Sequence, residues 1–282
     1  MATIIDGKRI SGEIRAELAE KTKRFQQEHG TVPGLAVIIV GEDPASRVYV
    51  RNKHKACAEV GFYSEVHELP ADANEQQVLA LIDRLNEQNN IHGILVQLPL
   101  PAHLNEQKIL LRIKPEKDVD AFHPYNVGKI MIGDYNVLPC TPAGVMQLLA
   151  RSGVSAAGKH CVVIGRSNIV GKPMAMLLLH DNGTVTVCHS RTPDLRAQTL
   201  QADILVSAVG RAGFVTADMV KPGAVVIDVG INRNAEGKLC GDVDFGPVSE
   251  VASMITPVPG GVGPMTITML LQNTLTAAQA SM

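Results

Sequence analysis

Residues 160–173 read HCVVIGRSNIVGKP, a short run of β-branched and apolar residues that ends in glycine and passes straight into a segment of helical spacing. A strand that is apolar on both faces is buried on both faces, which happens in parallel sheets covered by helices. The pattern recurs in TVTVCH (184–189), ADILVSAVG (202–210) and AVVIDVG (224–230). Four such strands separated by helical or turn segments predict a compact, doubly wound α/β domain.

The same grammar extends toward the N-terminus. LAVIIV (35–40) and HGILVQL (92–98) are predicted buried strands. Between them a helix is expected to start at Pro44, with Asp43 as its cap and Gly61 as its left-handed stop. A second helix, capped by Asn74, carries Val78, Leu81, Ile82 and Leu85 on one stripe. PCTPAG (139–144) puts two prolines and a glycine where regular structure should break before the next helix. The expected organisation is therefore α/β with two domains: an N-terminal catalytic domain over 1–140 and a Rossmann-like domain over 141–263. After the glycine-rich turn ITPVPGGVGP (255–264), a last helix with Ile267, Leu270, Leu271 and Thr274 on one face should complete the first domain over 264–282.

Composition narrows the function. A chain of 282 residues with 45% hydrophobic content holds ample core material. A formal charge of -2 gives no net pull toward nucleic acid or anionic membrane, and 3% aromatic content without tryptophan leaves few stacking platforms for single strands. Cys57, Cys140, Cys161, Cys188 and Cys240 are scattered without a C-x-x-C pair, so free thiols are expected and no metal site. The opening MATIIDGKRISGEIRAEL lacks the features of a signal peptide, and no stretch approaches the ~20 apolar residues of a membrane span. A soluble, cytoplasmic protein is expected.

GRSNIVGKP (165–173) lies between a predicted strand and a predicted helix, the setting of a phosphate-cradling turn. Gly165 suits the tight turn and Gly171 close helix packing, but Ser167 stands where the dinucleotide fingerprint has its second glycine; a purely structural turn also fits. The next strand ends in His189, Ser190, Arg191 and Thr192, where an NAD site normally has an acid. Arg191, with Arg166, would instead attract a 2′-phosphate, so NADP is favoured over NAD; a solvated basic loop is the alternative. Glycines just after the strands in SAVGRAGFV (207–215) and DVGIN (228–232) suit either backbone contact with a ligand or a plain tight turn.

Chemistry-bearing residues gather in the first half. Tyr49 and Lys53 are one helical turn apart, so a phenol can neighbour an amine; the spacing equally fits a solvated flank beside Arg51, His54 and Lys55. Gln97 interrupts an apolar strand, and a buried amide there needs partners. In KDVDAFHP (117–124), one of Asp118 and Asp120 can form a turn while the other pairs with a polar substrate or Lys53. PVPGGVGP (257–264) offers a backbone without obstructing side chains at a helix start, or an inter-domain hinge.

Taken in order, DGKRIS, VYVRNKHKACAEVGF, GILVQLPLP, KDVDAFHPYNVG, PCTPAG, VVIGRSNIVGKP, VKPGAVVIDVGIN, GDVDF and TPVPGGVGPMTITML resemble the FolD-type methylenetetrahydrofolate dehydrogenase/methenyltetrahydrofolate cyclohydrolase family across nearly the whole chain. The resemblance implies NADP-dependent oxidation of 5,10-methylenetetrahydrofolate, hydrolysis of the product to 10-formyltetrahydrofolate, and a homodimer. It implies Lys53 as the catalytic group, assisted by Tyr49 and Gln97, with Asp120 gripping the pterin. Gly165, Arg166, Ser167, Ser190 and Ile231 match cofactor positions, and Pro259, Gly260 and Gly261 a folate-contacting turn. Ala121 departs from the glycine that many relatives carry. Retention of Tyr49, Lys53, Gln97 and Asp120 together argues against a dehydrogenase without hydrolase activity and against a non-catalytic nucleotide sensor.

Overall fold

The computed structural model describes residues 1–282, the side chain of Ala45 excepted. Its strands are β1 Thr3–Ile4, β2 Gly34–Val40, β3 Tyr63–Leu69, β4 Gly93–Val96, β5 His160–Ile164, β6 Thr184–Cys188, β7 Ile204–Ser207, β8 Val225–Asp228, β9 Asn232–Arg233, β10 Leu239–Cys240 and β11 Met254–Ile255. The helices are α1 Gly7–His29, α2 Pro44–Val60, α3 Glu75–Glu87, α4 Glu106–Leu110, α5 Pro124–Ile132, α6 Cys140–Arg151, α7 Gly171–His180, α8 Leu195–Thr199, α9 Phe245–Val251 and α10 Val262–Ala280. The chain divides into two compact units, one of Met1–Gly12 with Thr141–Thr266, the other of Glu13–Cys140 with Ile267–Met282. Among the described residues no helix is long and apolar enough to cross a membrane.

The first unit is built on a six-stranded sheet in the order β1-β11-β8-β7-β5-β6, all neighbours parallel. Its centre is apolar on both faces, as the continuous runs predict: Val162, Leu205, Val226 and Ile255 are buried on one face and Val163, Val206 and Ile227 on the other. The long segment of this unit begins at Thr141 and ends at Thr266, inside α10. Residues 1–12 depart from the expectation, because Thr3 and Ile4 pair with Met254 and Ile255 and cover the edge of this sheet. No local pattern signals a pairing across some 250 residues of chain. In PCTPAG the interruption is milder than expected: α6 already begins at Cys140, with Pro142 in its first turn, where a missing amide hydrogen costs nothing.

The second unit has a three-stranded parallel sheet, β3-β2-β4, in which β2 is buried along its whole length. Ile38, Ile82, Leu85, Ile94 and Ile109 sit in one core cluster, and burying a side chain of this size contributes about 1.5–3 kcal/mol. Helix α3 shows the expected cap, Asn74 accepting from Gln77 N while Gln77 reaches back to the Asn74 amide. Strand β3 has no counterpart in the sequence reading. Its YSEVHEL run is partly exposed and interleaved with Glu65, His67 and Glu68, as an edge strand can be, which hides the apolar signal.

Candidate active site

In the three-stranded unit the key amine is placed by a helix fixed at both ends. Asp43 Oδ2 accepts from Ser46 N at 2.7 Å, Pro44 opens α2, and Gly61 closes it with φ of 81°. Lys53, half-buried on this helix, donates from Nζ to Gln97 Oε1 at 2.9 Å. Gln97 follows β4 directly, and its Nε2 donates to Leu98 O at 2.6 Å, so its carbonyl oxygen is the end left for the amine. Gln97 therefore stands just past the strand and half-buried, not inside a buried strand as its sequence context suggests, and its amide finds a partner in Lys53.

Burial pulls the Lys53 amine below its ordinary value, against the opposing pull of Asp120 and, less, of Cys140. Burial in turn pushes the Asp120 carboxyl up to about 6, with Lys53 holding it down and Asp118 adding to the rise. The Cys140 thiol, 3.7 Å from Asp120 Oδ1, is pushed well above its ordinary range by burial and by that carboxylate, and stays protonated. Lysine, carboxyl and thiol therefore form one desolvated cluster whose titrations are linked. Tyr49 lies one turn from Lys53 but is 44% exposed, and its hydroxyl has no hydrogen-bond partner among the described residues.

The geometry divides the two aspartates. Asp118 is buried and its Oδ2 accepts from His123 N at 2.8 Å and Asn126 Nδ2 at 2.9 Å, which makes it the turn former. Asp120 faces the amine electrostatically. Sequence reasoning missed the third tether: Asn273 Nδ2, from α10, donates to Val119 O at 2.8 Å and Leu138 O at 2.7 Å. A buried asparagine on an otherwise apolar helix face was the available signal. Ala121, next in the loop, takes φ of 57°, the left-handed region that glycine occupies without strain.

In the six-stranded unit, the turn after β5 is a tight cradle. Gly165 takes φ of 130°, and a Cβ there would stand 2.5 Å from Ala208 O. Ser167 does what the missing glycine does not: its Oγ accepts from Val170 N at 3.1 Å and Gly171 N at 3.3 Å, organising the start of α7. Past β6, His189 N donates to Thr192 Oγ1 at 2.8 Å and Arg191 N to His189 Nδ1 at 3.1 Å, shaping the turn that carries Ser190 and Arg191. The Arg166 and Arg191 side chains are exposed and make no ion pair among the described residues. This turn at a helix start, with two uncommitted cations nearby, suits a phosphorylated dinucleotide. Ile231 is 53% exposed just beyond β8. In the 257–264 turn, Gly260 takes φ of 107° and its carbonyl accepts from Lys8 N at 3.1 Å; a Cβ on Gly261 would stand 2.6 Å from Pro257 O.

A doubly wound unit with a phosphate-type turn, together with an α/β unit carrying a desolvated lysine, defines a nucleotide-dependent enzyme of the two-domain dehydrogenase class. Residues 5–120 match the tetrahydrofolate dehydrogenase/cyclohydrolase catalytic domain and residues 139–282 the NAD(P)-binding domain of the same family. The bifunctional FolD protein of Moorella thermoacetica is 60% identical over 278 residues, covering 99% of both chains; that of Paracidovorax citrulli is 61% identical over 278 residues, covering 99% of this chain and 98% of its own. Among solved structures, the bifunctional FolD dehydrogenase/cyclohydrolase of Campylobacter jejuni superposes with a TM-score of 0.97 at 50% identity over 100% of both chains. The FolD enzyme of Trypanosoma brucei, solved with NADP and an inhibitor, superposes with a TM-score of 0.94 at 44% identity over 99% of this chain and 98% of its own. The chain belongs to the tetrahydrofolate dehydrogenase/cyclohydrolase family.

Proposed function

We propose that this chain oxidises 5,10-methylenetetrahydrofolate with NADP and hydrolyses the resulting 5,10-methenyltetrahydrofolate to 10-formyltetrahydrofolate, and that Lys53 serves the hydrolytic half. NADP supplies the hydride acceptor. The methylene carbon lies between two nitrogens whose lone pairs stabilise the cation formed as hydride leaves, so no protein base is required there and the protein contributes alignment. Hydrolysis asks more: water adds to the cationic carbon, loses a proton, and one ring nitrogen takes a proton as its bond to that carbon breaks. A lysine serves near neutral pH only when its amine is held below the ordinary range.

The observation that carries the assignment is the 2.9 Å bond from Lys53 Nζ to Gln97 Oε1 in a desolvated setting beside Asp120. Gln97 orients the amine, Tyr49, exposed one turn away, assists it, and Asp120 holds the pterin. Gly165, Arg166, Ser167, Ser190, Arg191 and Ile231 take NADP, with the two arginines on its 2′-phosphate. Pro259, Gly260 and Gly261 contact folate. The homodimer that the family resemblance suggests has an open strand edge available at β6, and free, mostly buried thiols fit a reducing cytoplasm. The test supplies methylenetetrahydrofolate with NADP or NAD and follows reduced cofactor, methenyl intermediate and formyl product separately. Reduced cofactor accumulating with methenyl but no formyl product would overturn the hydrolytic assignment.

A further inference from the structure

We infer that Asp242 is a positioning residue for the dehydrogenase step, tying the loop after β7 to the loop after β8 and so fixing the backbone that meets the reactive end of the cofactor. Asp242 is fully buried, at 0% exposure. Its Oδ2 accepts from Val209 N at 2.8 Å and Ser207 Oγ at 3.2 Å, and its Oδ1 from Arg211 N at 3.0 Å and Asn232 Nδ2 at 2.9 Å. Two donors per oxygen satisfy the carboxylate, and every donor is neutral. Ser207 ends β7 and Val209 and Arg211 follow it in the loop; Asn232, the residue after Ile231, opens β9 where the β8 loop ends. Both loops lie at the carboxyl ends of parallel strands, where ligands of open α/β sheets bind.

A second buried carboxylate holds the first. Asp228 Oδ1 accepts from Gly230 N and Asp242 N, and Oδ2 from Val243 N, each at 2.9 Å, while Asp228 N donates to Thr256 Oγ1 at 2.8 Å. The pair also dictates glycine on both sides: a Cβ at Gly230 would overlap the Asp242 carboxylate, and one at Gly241 the Asp228 carboxylate. Two carboxylates buried without a cation are costly, and burial pushes Asp228 up to about 6. A turn formed for stability alone is made more cheaply by neutral groups; here the expense secures two loops to one another. Ile231, assigned to the cofactor, lies in the β8 loop directly before Asn232, so displacement of that loop would also move its side chain.

The experiment compares wild type with Asp242→Asn, which keeps the size but turns an acceptor into a donor facing donors. NADP KM should rise at least tenfold and kcat for methylene oxidation fall at least tenfold, while hydrolysis of methenyltetrahydrofolate supplied without cofactor stays within twofold. Proportional loss of both activities, or unchanged dehydrogenase kinetics, overturns the inference. Should Asp242→Asn not fold, Asn232→Ala removes a single donor from a half-buried position, and NADP KM should rise at least threefold with hydrolysis unchanged; an unchanged KM again overturns it. The inference rests on the cofactor reading above, which Arg191→Ala tests separately, since Arg191 contacts neither carboxylate. Normal NADP preference in Arg191→Ala alongside the Asp242→Asn split would remove the phosphate assignment and leave the positioning role standing.

Discussion

The lysine site and the nucleotide turn solve opposite problems. Around Lys53 the proposed working groups are side chains, desolvated and electrically coupled, held by a capped helix, an amide at a strand end and a tethered loop. Around Gly165 the proposed working groups are a backbone turn organised by Ser167 and exposed guanidiniums, and the buried acids Asp228 and Asp242 lie in the same unit. A proton-transferring group needs a perturbed pKa, which burial supplies. A phosphate needs solvent-facing cations and aimed amides, which burial would spoil. Substitution should therefore act on chemistry in the first region and on affinity in the second.

The sharpest way to break that contrast is Lys53→Met. General acid–base groups of this kind are worth about 10²–10⁴-fold in rate, so hydrolysis should fall by that order while NADP affinity changes by less than about twofold. Stopped-flow decay of methenyltetrahydrofolate and cofactor titration measure the two separately. Residual wild-type hydrolysis would move the chemistry elsewhere in the cluster. On the nucleotide side, Arg191→Ala should raise KM for NADP by roughly 10–100-fold, the size of one to two charge-assisted hydrogen bonds, and leave KM for NAD nearly unchanged. Equal losses for both cofactors would point to Arg166.

A smaller effect comes from pH. The Asp120 carboxyl is raised to about 6, so it is ionised at neutral pH and takes up a proton as pH falls through 6. The Lys53 amine lies below its ordinary value, so its neutral fraction grows as pH rises. Both trends run the same way: hydrolysis should decline below pH ~6, by up to about tenfold per unit for a single essential group, and climb above it. Asp120→Asn should flatten the acid limb. Dehydrogenase kcat at saturating methylenetetrahydrofolate, for which no protein base is proposed, should be flat over the same range.

The sequence exposed the two regions to different depths for the same physical reason. Continuous apolar strands, the Asp43 and Asn74 caps and the Gly165 turn are local patterns, and each appears in the structure where its residues predict it. The bond from Lys53 to Gln97 spans 44 residues and the tether from Asn273 to Val119 spans 154, so neither leaves a local trace. The amphipathic edge strand β3 and the β1 pairing with β11 were hidden likewise, the one by charge and the other by distance along the chain. Asp228 and Asp242 sit inside the quoted stretches DVGIN and GDVDF, yet nothing in either marks its acid as buried.

Ala121 tests whether long-range tethers outrank local preference. An L-residue in the left-handed region costs about 1–2 kcal/mol relative to the right-handed one, and Ala121 pays that at φ of 57° with its methyl fully buried. Glycine would remove the strain, but it would add about 0.5–1 kcal/mol of unfolded-chain entropy and forfeit about 0.8 kcal/mol of methyl burial. These terms nearly cancel, so Ala121→Gly should shift Tm by no more than about 3 °C. The loop conformation is imposed by Asp118 and Asn273 from either side, so hydrolysis kinetics should stay within twofold as well. A large gain in rate would mean that the methyl obstructs substrate. A large loss of stability would mean that its packing, and not the tethers, holds Asp120 toward the amine.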